Sequence, residues 1–266
     1  MLGKLLKYEI KATARTFLPM YALLIVFALI NKFFMAVNSD YLKIPRIIAM
    51  SVFVVIIVGI CVMTLIVTIQ RFNKNLLTDE GYLSFTLPVK AHTHIDSKMI
   101  VSLMWVFLSV IVSFISIFVM TVNEKTIIHI SRSIDQFMTV FNSLGSGGYV
   151  ILLEGILFVI IAALCSIVTI YAAITIGNMS SKHKLLVGVG AYLAFGIIEQ
   201  IIMSIIITSF GGTVQHYFES LNRATMSAQV GAIQLLMLGM IIFTLVFGAV
   251  YYILTNWMLK KKLNLE

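Results

Sequence analysis

Two carboxylates stand inside apolar runs of the chain, where an acidic side chain is rare and usually has a partner or a function. Glu154 lies near the start of the run 149–176, and Glu199, followed by Gln200, lies near the middle of the run 185–210. An acidic group in a membrane costs at least about 2.5 kcal/mol on insertion scales, so it faces protein or water. The three polar residues are therefore candidates for a translocation path that accepts a cationic or zwitterionic substrate, or for proton coupling. The alternative is a buried or protonated carboxyl that is hydrogen-bonded to neighbouring Ser or Thr.

Other patterns that could indicate catalysis or metal binding are weak. His92, His94 and Asp96 are close in sequence, but no fourth ligand follows at suitable spacing, and we expect a solvated segment that leads into a helix. The sequence has no Gly-x-x-x-x-Gly-Lys-Ser/Thr motif, and the glycines of the stretch 187–190 lie inside an apolar run, where close packing explains them better. We therefore expect no catalytic residue, no metal and no cofactor on this chain.

The composition is that of a membrane protein. Hydrophobic residues make up 60% of the 266 residues and charged residues only 11%, whereas soluble domains carry about 25% charged residues. The mean hydropathy is +1.04. The net charge of +8 does not indicate a nucleic-acid partner, because the basic residues are scattered at the ends of apolar runs.

Six apolar runs are long enough to cross a bilayer as helices, since a hydrocarbon core of about 30 Å needs about 20 helical residues. The sequence therefore predicts an all-α polytopic membrane protein with a single transmembrane domain over 1–266. The predicted spans are 17–36, 47–70, 99–122, 149–176, 185–210 and 230–257.

The distribution of Lys and Arg predicts the orientation of these spans. With the N-terminus inside, 13 of the 19 basic residues fall on the cytoplasmic side of the membrane. The sequence therefore predicts a protein of the plasma membrane, and the positive-inside rule places both of its termini in the cytoplasm.

Three segments outside the spans have an amphipathic pattern. Residues 1–16 alternate Leu and Lys at helical spacing and predict a basic helix in the cytoplasmic interface, or else a solvated extension of the first span. The outer segment 123–148 predicts an amphipathic helix that stops at the glycines from Gly145, and the outer segment 211–229 repeats the pattern over a shorter length. The two outer helices could rest on the outer leaflet or form a lid over the bundle.

The cytoplasmic connection 71–98 is the longest polar stretch on that side of the membrane. No helix breaker occurs in 71–77, so the second span is expected to continue as a helix beyond the membrane. Gly81 permits a sharp bend, and it is followed by apolar residues that need not enter lipid. Exposed aromatic and aliphatic groups flanked by charges favour a protein-docking surface; the alternative is an ordinary connection with incidental apolar residues.

The same connection carries a resemblance to a known family. The stretch Asn73-Lys-Asn-Leu-Leu-Thr-Asp-Glu-Gly-Tyr-Leu-Ser-Phe-Thr-Leu-Pro-Val89, with Ser97-Lys98 at the head of the next span, resembles ABC-2 type transporter permeases of Gram-positive bacteria. The layout of six spans and the amphipathic segments is similar to the type V exporter fold of that family. The resemblance covers nearly the full length in layout, and in specific residues it depends mainly on 71–98.

The resemblance implies a site and a set of partners. The connection after the second span would be the coupling helix that contacts a separate ATPase subunit, through Arg71, Lys74, Asp79, Glu80, Gly81 and Tyr82. The turn between the fourth and fifth spans would make a second contact through Ser181, Lys182 and His183. Two ATPase copies would bind ATP and Mg²⁺, a second permease, identical or homologous, would complete the transporter, and the chain itself would hold no cofactor and no nucleic acid.

Two other classes of function stay open at this point. A secondary transporter would use Glu154 and Glu199 for ion coupling, although such transporters usually show internal repeats and 1–122 does not repeat in 149–266. A membrane scaffold or sensor subunit is the third possibility. Under the family resemblance, the expected function is export of a hydrophobic, lipid-like or peptide substrate.

Overall fold

The structure is a computed structural model that describes residues 2–37, 40–77, 91–180, 182–221 and 226–261. Within these ranges the chain forms seven α-helices and one short 3₁₀ turn, Asp40–Leu42. Six of the helices are long and apolar enough to span a membrane, so the chain is an all-α, multi-pass membrane protein. The helices are α1 Leu2–Ala36, α2 Lys43–Leu77, α3 Ala91–Thr121, α4 Glu124–Ser143, α5 Ser146–Gly177, α6 Lys184–Leu221 and α7 Met226–Lys261.

The six predicted spans are all present, but several helices extend beyond the predicted boundaries. Residues 2–16 are the first turns of α1 and not a separate element, because no break separates them from the first span. The prediction that α2 continues to Leu77 is confirmed. The third helix begins at Ala91 and not near 99, and α6 continues through Gly211 and Gly212 to Leu221, because two glycines weaken a long helix without ending it.

The chain divides into two compact units, Met1–Arg132 and Ser133–Glu266, and the boundary falls inside α4. In the first unit α1 packs against both α2 and α3, and α2 packs against α3. The core stripe of α1 follows the helical period of about 3.6 residues, which brings its buried side chains onto one face. The buried core of this unit contains Phe17, Tyr21, Leu24, Ala28, Phe53, Ile60, Val101, Trp105 and Met120.

Polar side chains also join the helices of the first unit, through hydrogen bonds at two places along α1. The Tyr21 hydroxyl lies 2.7 Å from the Ser109 hydroxyl, which lies 3.2 Å from the Thr64 hydroxyl, so one small network joins α1, α3 and α2. Nearer the far end of α1, the Asn31 amide donates to the backbone carbonyl of Ala49 on α2 at 3.1 Å. Interhelical hydrogen bonds of this kind contribute to packing inside a membrane, where the hydrophobic effect between helices is absent.

In the second unit α5 is the central helix and packs along both α6 and α7. Glycine permits two of these approaches. A Cβ added to Gly177 would lie 2.5 Å from the Lys184 carbonyl oxygen and 2.9 Å from the Gly188 Cα, and one added to Gly248 would overlap the Cys165 sulfur. Of the two glycines in 187–190, Gly188 lies at this helix contact, whereas a Cβ added to Gly190 would meet nothing within 4 Å.

Gly177→Ala is expected to destabilise the second unit by about 1–3 kcal/mol, because the new Cβ meets backbone atoms, which cannot rotate away as a side chain can. The measurement is thermal unfolding of the purified chain in detergent micelles. Gly190→Ala is the matched control, since a Cβ there meets nothing within 4 Å and alanine favours the helix. Equal unfolding temperatures for the two variants would contradict the close approach of α5 and α6.

The predicted outer amphipathic helix is present as α4, Glu124–Ser143, and none of its residues is buried. It begins where the Asn123 side chain accepts a hydrogen bond from the Thr126 backbone N–H at 2.8 Å, as an N-cap residue does. It ends before Gly145, which has a φ of 58°, a left-handed conformation that glycine adopts without strain. Asparagine and glycine thus set the two ends of this helix.

Candidate functional site

An ion pair between a buried lysine and a partly buried glutamate lies at the first turns of α1, where α2 ends and α3 begins. The Lys98 Nζ donates to the Glu9 Oε1 at 2.6 Å, and the two side chains are only 5% and 14% exposed. The Asn75 amide of α2 donates to the same Glu9 oxygen at 3.2 Å. One carboxylate therefore joins three helices.

Trp105 extends this arrangement by two turns of α3. Its indole N–H donates to the Thr13 hydroxyl oxygen at 2.7 Å, and the Thr13 hydroxyl donates to the Glu9 carbonyl at 2.7 Å. The Trp105 ring stacks on Phe17 with centroids 4.5 Å apart and planes 15° apart. We call Glu9, Thr13, Asn75, Lys98 and Trp105 the anchor cluster.

The anchor cluster leaves little free space. A cavity of about 10 Å³ is lined by Glu9, Lys98, Arg71 and neighbouring side chains, which is room for about one water molecule. Such a volume excludes a substrate, so the cluster is a structural joint between helices. Its position matters because the two helix ends that it holds, α2 at Leu77 and α3 at Ala91, flank the connection 78–90.

Of the six predicted coupling residues, two lie among the described residues and four do not. Arg71 is half-buried and lines the small cavity of the anchor cluster, and Lys74 is exposed one turn further along α2. Asp79, Glu80, Gly81 and Tyr82 lie outside the described residues. His94, expected to be solvated, is instead only 4% exposed, because it lies one turn before Lys98 on the packed face of α3. The described residues contain no group of three or more His, Cys, Asp or Glu that could hold a metal.

A second candidate site is a cavity of about 260 Å³ within the second unit, between α5, α6 and α7. Glu199 of α6 lines it and accepts a hydrogen bond from the Tyr251 hydroxyl of α7 at 2.8 Å. At 1.5 Å per residue Glu199 lies about 22 Å along α6 from its first residue, well inside the span. We call this space the Glu199 cavity; it is lined by Ala162, Cys165, Ser166, Thr169, Tyr192, Gly196, Glu199, Phe243, Thr244, Phe247 and Tyr251.

The other predicted path residues do not join Glu199. Glu154 is half-buried with its Oε2 buried and without a hydrogen-bond partner among the described residues. It precedes Cys165 on α5 by 11 residues, a rise of about 16 Å, and does not line the Glu199 cavity. Gln200 is exposed and also absent from the lining, because the residue after Glu199 points about 100° away on a helix.

The predicted second cytoplasmic contact is only partly described. Ser181 lies outside the described residues, whereas Lys182 and His183 are exposed in the turn before α6. The backbone N–H of Val187 donates to the His183 carbonyl at 3.0 Å, which begins the hydrogen bonding of that helix. The turn therefore presents a basic side chain and an imidazole at its surface.

Sequence reasoning missed Glu9, Thr13, Asn75 and Trp105. Glu9 was the one available signal, because it is the only acidic residue among the basic residues of 1–16 and it lies on the same helical face as Thr13 and Phe17. An acidic residue in that position is typical of an ion pair with another helix. Its partner, 89 positions away, is not accessible to a helical pattern.

Comparisons of the chain with protein-family models, with curated proteins and with solved structures found no match.

Proposed function

We propose that this chain is the membrane subunit, or permease, of an ATP-driven ABC transporter. It would work with two copies of a separate ATPase subunit, which bind ATP and Mg²⁺, and with a second permease that is identical or homologous. The substrate class is hydrophobic, lipid-like or peptide, and the direction is export. The chain itself would catalyse no reaction.

One observation carries the proposal: both helices that flank the connection 78–90 are fixed to α1 through the Glu9 carboxylate. Asn75 holds the end of α2 and Lys98 holds the start of α3. A connection between two mobile helix ends would absorb a push from a partner by bending. A connection between helix ends that both bind the Glu9 carboxylate, one through a hydrogen bond and one through an ion pair, transmits the push to α1, α2 and α3 together.

This arrangement is what a coupling element needs. ATP would close the ATPase subunits, the connection would move with them, and the helices of the first unit would follow as a body between inward-facing and outward-facing states. The residues of the connection itself, from Asp79 to Tyr82, would make the contact, in keeping with the resemblance of 73–89 to ABC-2 permeases.

The proposal places the chain in the cell membrane with both termini in the cytoplasm. The anchor cluster and the connection 78–90 then lie on the cytoplasmic side, where an ATPase can reach them. The excess of Lys and Arg in the segments assigned to that side supports this orientation.

The test is purification of the full chain in mild detergent from its own source, with mass spectrometry of the proteins that accompany it. We expect a polypeptide that contains a Gly-x-x-x-x-Gly-Lys-Ser/Thr motif to copurify with the native chain. Glu80→Lys and Gly81→Pro are expected to reduce its yield by about tenfold or more, since a reversed charge and a blocked bend would both disturb the contact.

Glu124→Lys is the matched control for Glu80→Lys, because it makes the same charge reversal at an exposed position on α4. It should leave the ATPase yield unchanged. Absence of any ATPase from the native preparation would overturn the proposal and favour a secondary transporter that uses Glu154 or Glu199. An ATPase that stays bound to both loop variants would place the contact elsewhere on the chain.

A further inference from the structure

The Glu199 cavity combines three chemical features that select for positive charge. We propose that it is a binding site for an organic cation, an amine or quaternary ammonium with a compact apolar body. The assignment of this ligand as the transported substrate rests on the proposed function, whereas binding itself does not.

The first feature is an uncompensated carboxylate. Tyr251 donates to the Glu199 Oε1, and no other hydrogen bond or ion pair to this carboxylate is made by the described residues. The basic side chains described in the second unit are Lys182, Lys184 and Lys260, which lie at helix ends. A carboxylate inside a membrane protein is stabilised by a counter-charge, and a bound cation would supply it.

The second feature is a group of aromatic rings around the carboxylate. Tyr192, Phe243, Phe247 and Tyr251 all line the cavity. The Tyr251 ring also packs against Phe195 at a centroid distance of 4.6 Å, and Phe243 packs against Phe247 at 4.8 Å, so the rings are held by each other. Aromatic faces attract ammonium groups within about 6 Å of the ring centroid.

The third feature is the direction of the hydroxyl hydrogen bonds. Ser166, Thr169 and Thr244 each donate their hydroxyl proton to the carbonyl four residues earlier on the same helix. Each hydroxyl therefore presents oxygen lone pairs, and not a proton, to its remaining surroundings. The lining thus offers acceptors and aromatic faces, which attract cations and repel anions.

The volume indicates the size of the group that the cavity can enclose. About 260 Å³ is slightly below the usual range for drug-sized ligands, about 300–1,000 Å³. An ammonium group with one aromatic ring is of suitable size, and a folded peptide is not. For a longer lipid-like or peptide substrate, the cavity would hold the cationic group alone.

The experiment is equilibrium dialysis of radiolabelled benzyltrimethylammonium against the full chain in nanodiscs of phosphatidylcholine, a lipid without net charge. We expect saturable binding to the native chain, and binding at least about tenfold weaker to Glu199→Gln, which removes the charge but keeps an oxygen acceptor for Tyr251. Radiolabelled benzenesulfonate, an anion of similar size, should show no saturable binding.

Glu124→Gln is the matched control, since it removes one carboxylate from the exposed surface of α4. It should leave the affinity for benzyltrimethylammonium unchanged. Tyr251→Phe keeps both the charge and the ring, and we expect its affinity to change by less than about threefold.

Equal affinity of the native chain and Glu199→Gln would overturn the proposal, and so would saturable binding of the anion. If Glu199→Gln does not fold, the comparison of cation with anion on the native chain still decides. The outcome is independent of the copurification test, because the nanodiscs contain no ATPase: loss of one proposal leaves the other standing.

Discussion

Replacing Lys98 with methionine is expected to lower the free energy of unfolding by about 3 kcal/mol. The substitution keeps the length and volume of the side chain but removes the ammonium group that lies 2.6 Å from the Glu9 carboxylate. Glu9 is then left partly buried with the Asn75 amide as its described interhelical partner. Removing one member of a buried ion pair is more costly than removing both, because an uncompensated charge stays behind.

The measurement is a double-mutant cycle with Lys98→Met, Glu9→Gln and the double variant, each unfolded in mixed micelles by increasing SDS. The double variant is expected to be more stable than Lys98→Met alone, because the stranded charge is gone. Lys125→Met is the control, since Lys125 is exposed on α4, and it should change the stability by about 0.5 kcal/mol at most. Additive effects of the two single substitutions would contradict an energetic link between α1 and α3.

The same variants bear on coupling. Under the proposed function, Glu9→Gln with Lys98→Met should still bind the ATPase, because the connection 78–90 is unchanged. Transport per ATP hydrolysed should fall, since the push on the connection is no longer shared among the three helices. A double variant with native transport would show that the anchor cluster serves stability alone.

The helical architecture could be predicted because it depends on local composition. Each span is a continuous apolar run, and the hydrocarbon core dictates its minimum length. The same argument predicted α4, since its apolar residues repeat at three and four positions and Gly145 ends the pattern. The ends of the helices were harder to predict from the sequence. The polar residues before residue 17 continue α1 without a break, because the side chains of another helix can satisfy their hydrogen bonds.

The candidate sites could be predicted from the sequence only in part. Glu199 could be singled out from its position in an apolar run, but its aromatic neighbours come from α6 and α7, and the apolar runs contain too many aromatic residues to choose among. Gln200 is adjacent to Glu199 in sequence, but neighbours in a helix point in different directions, so adjacency does not predict a shared site. Glu9 and Lys98 illustrate the same limit, because the contact between them depends on how α1 packs against α3.

Replacing Trp105 with alanine is expected to destabilise the first unit by about 3–5 kcal/mol. Trp105 is 4% exposed, stacks on Phe17 and donates to Thr13, so the truncation leaves both a void and an unpaired hydroxyl oxygen. Trp105→Phe separates these two effects. It keeps a ring against Phe17 and loses only part of the volume and the hydrogen bond, so a smaller loss of about 1–2 kcal/mol is expected.

The measurement is again unfolding by SDS, followed here by circular dichroism because the substitution removes a fluorophore. Trp257→Ala is the matched control, since the other tryptophan of the chain is 44% exposed on α7 and leaves no comparable void. Equal stability of the two alanine variants would contradict the packing of α3 on α1. If the hydrogen bond from Trp105 to Thr13 contributes to stability, Thr13→Val should destabilise the Trp105→Phe variant less than it destabilises the native chain. The reason is that the indole donor is already absent from that variant. That non-additivity would place Trp105 in the same joint as Glu9 and Lys98, because the Thr13 hydroxyl that accepts from the indole donates to the backbone of Glu9.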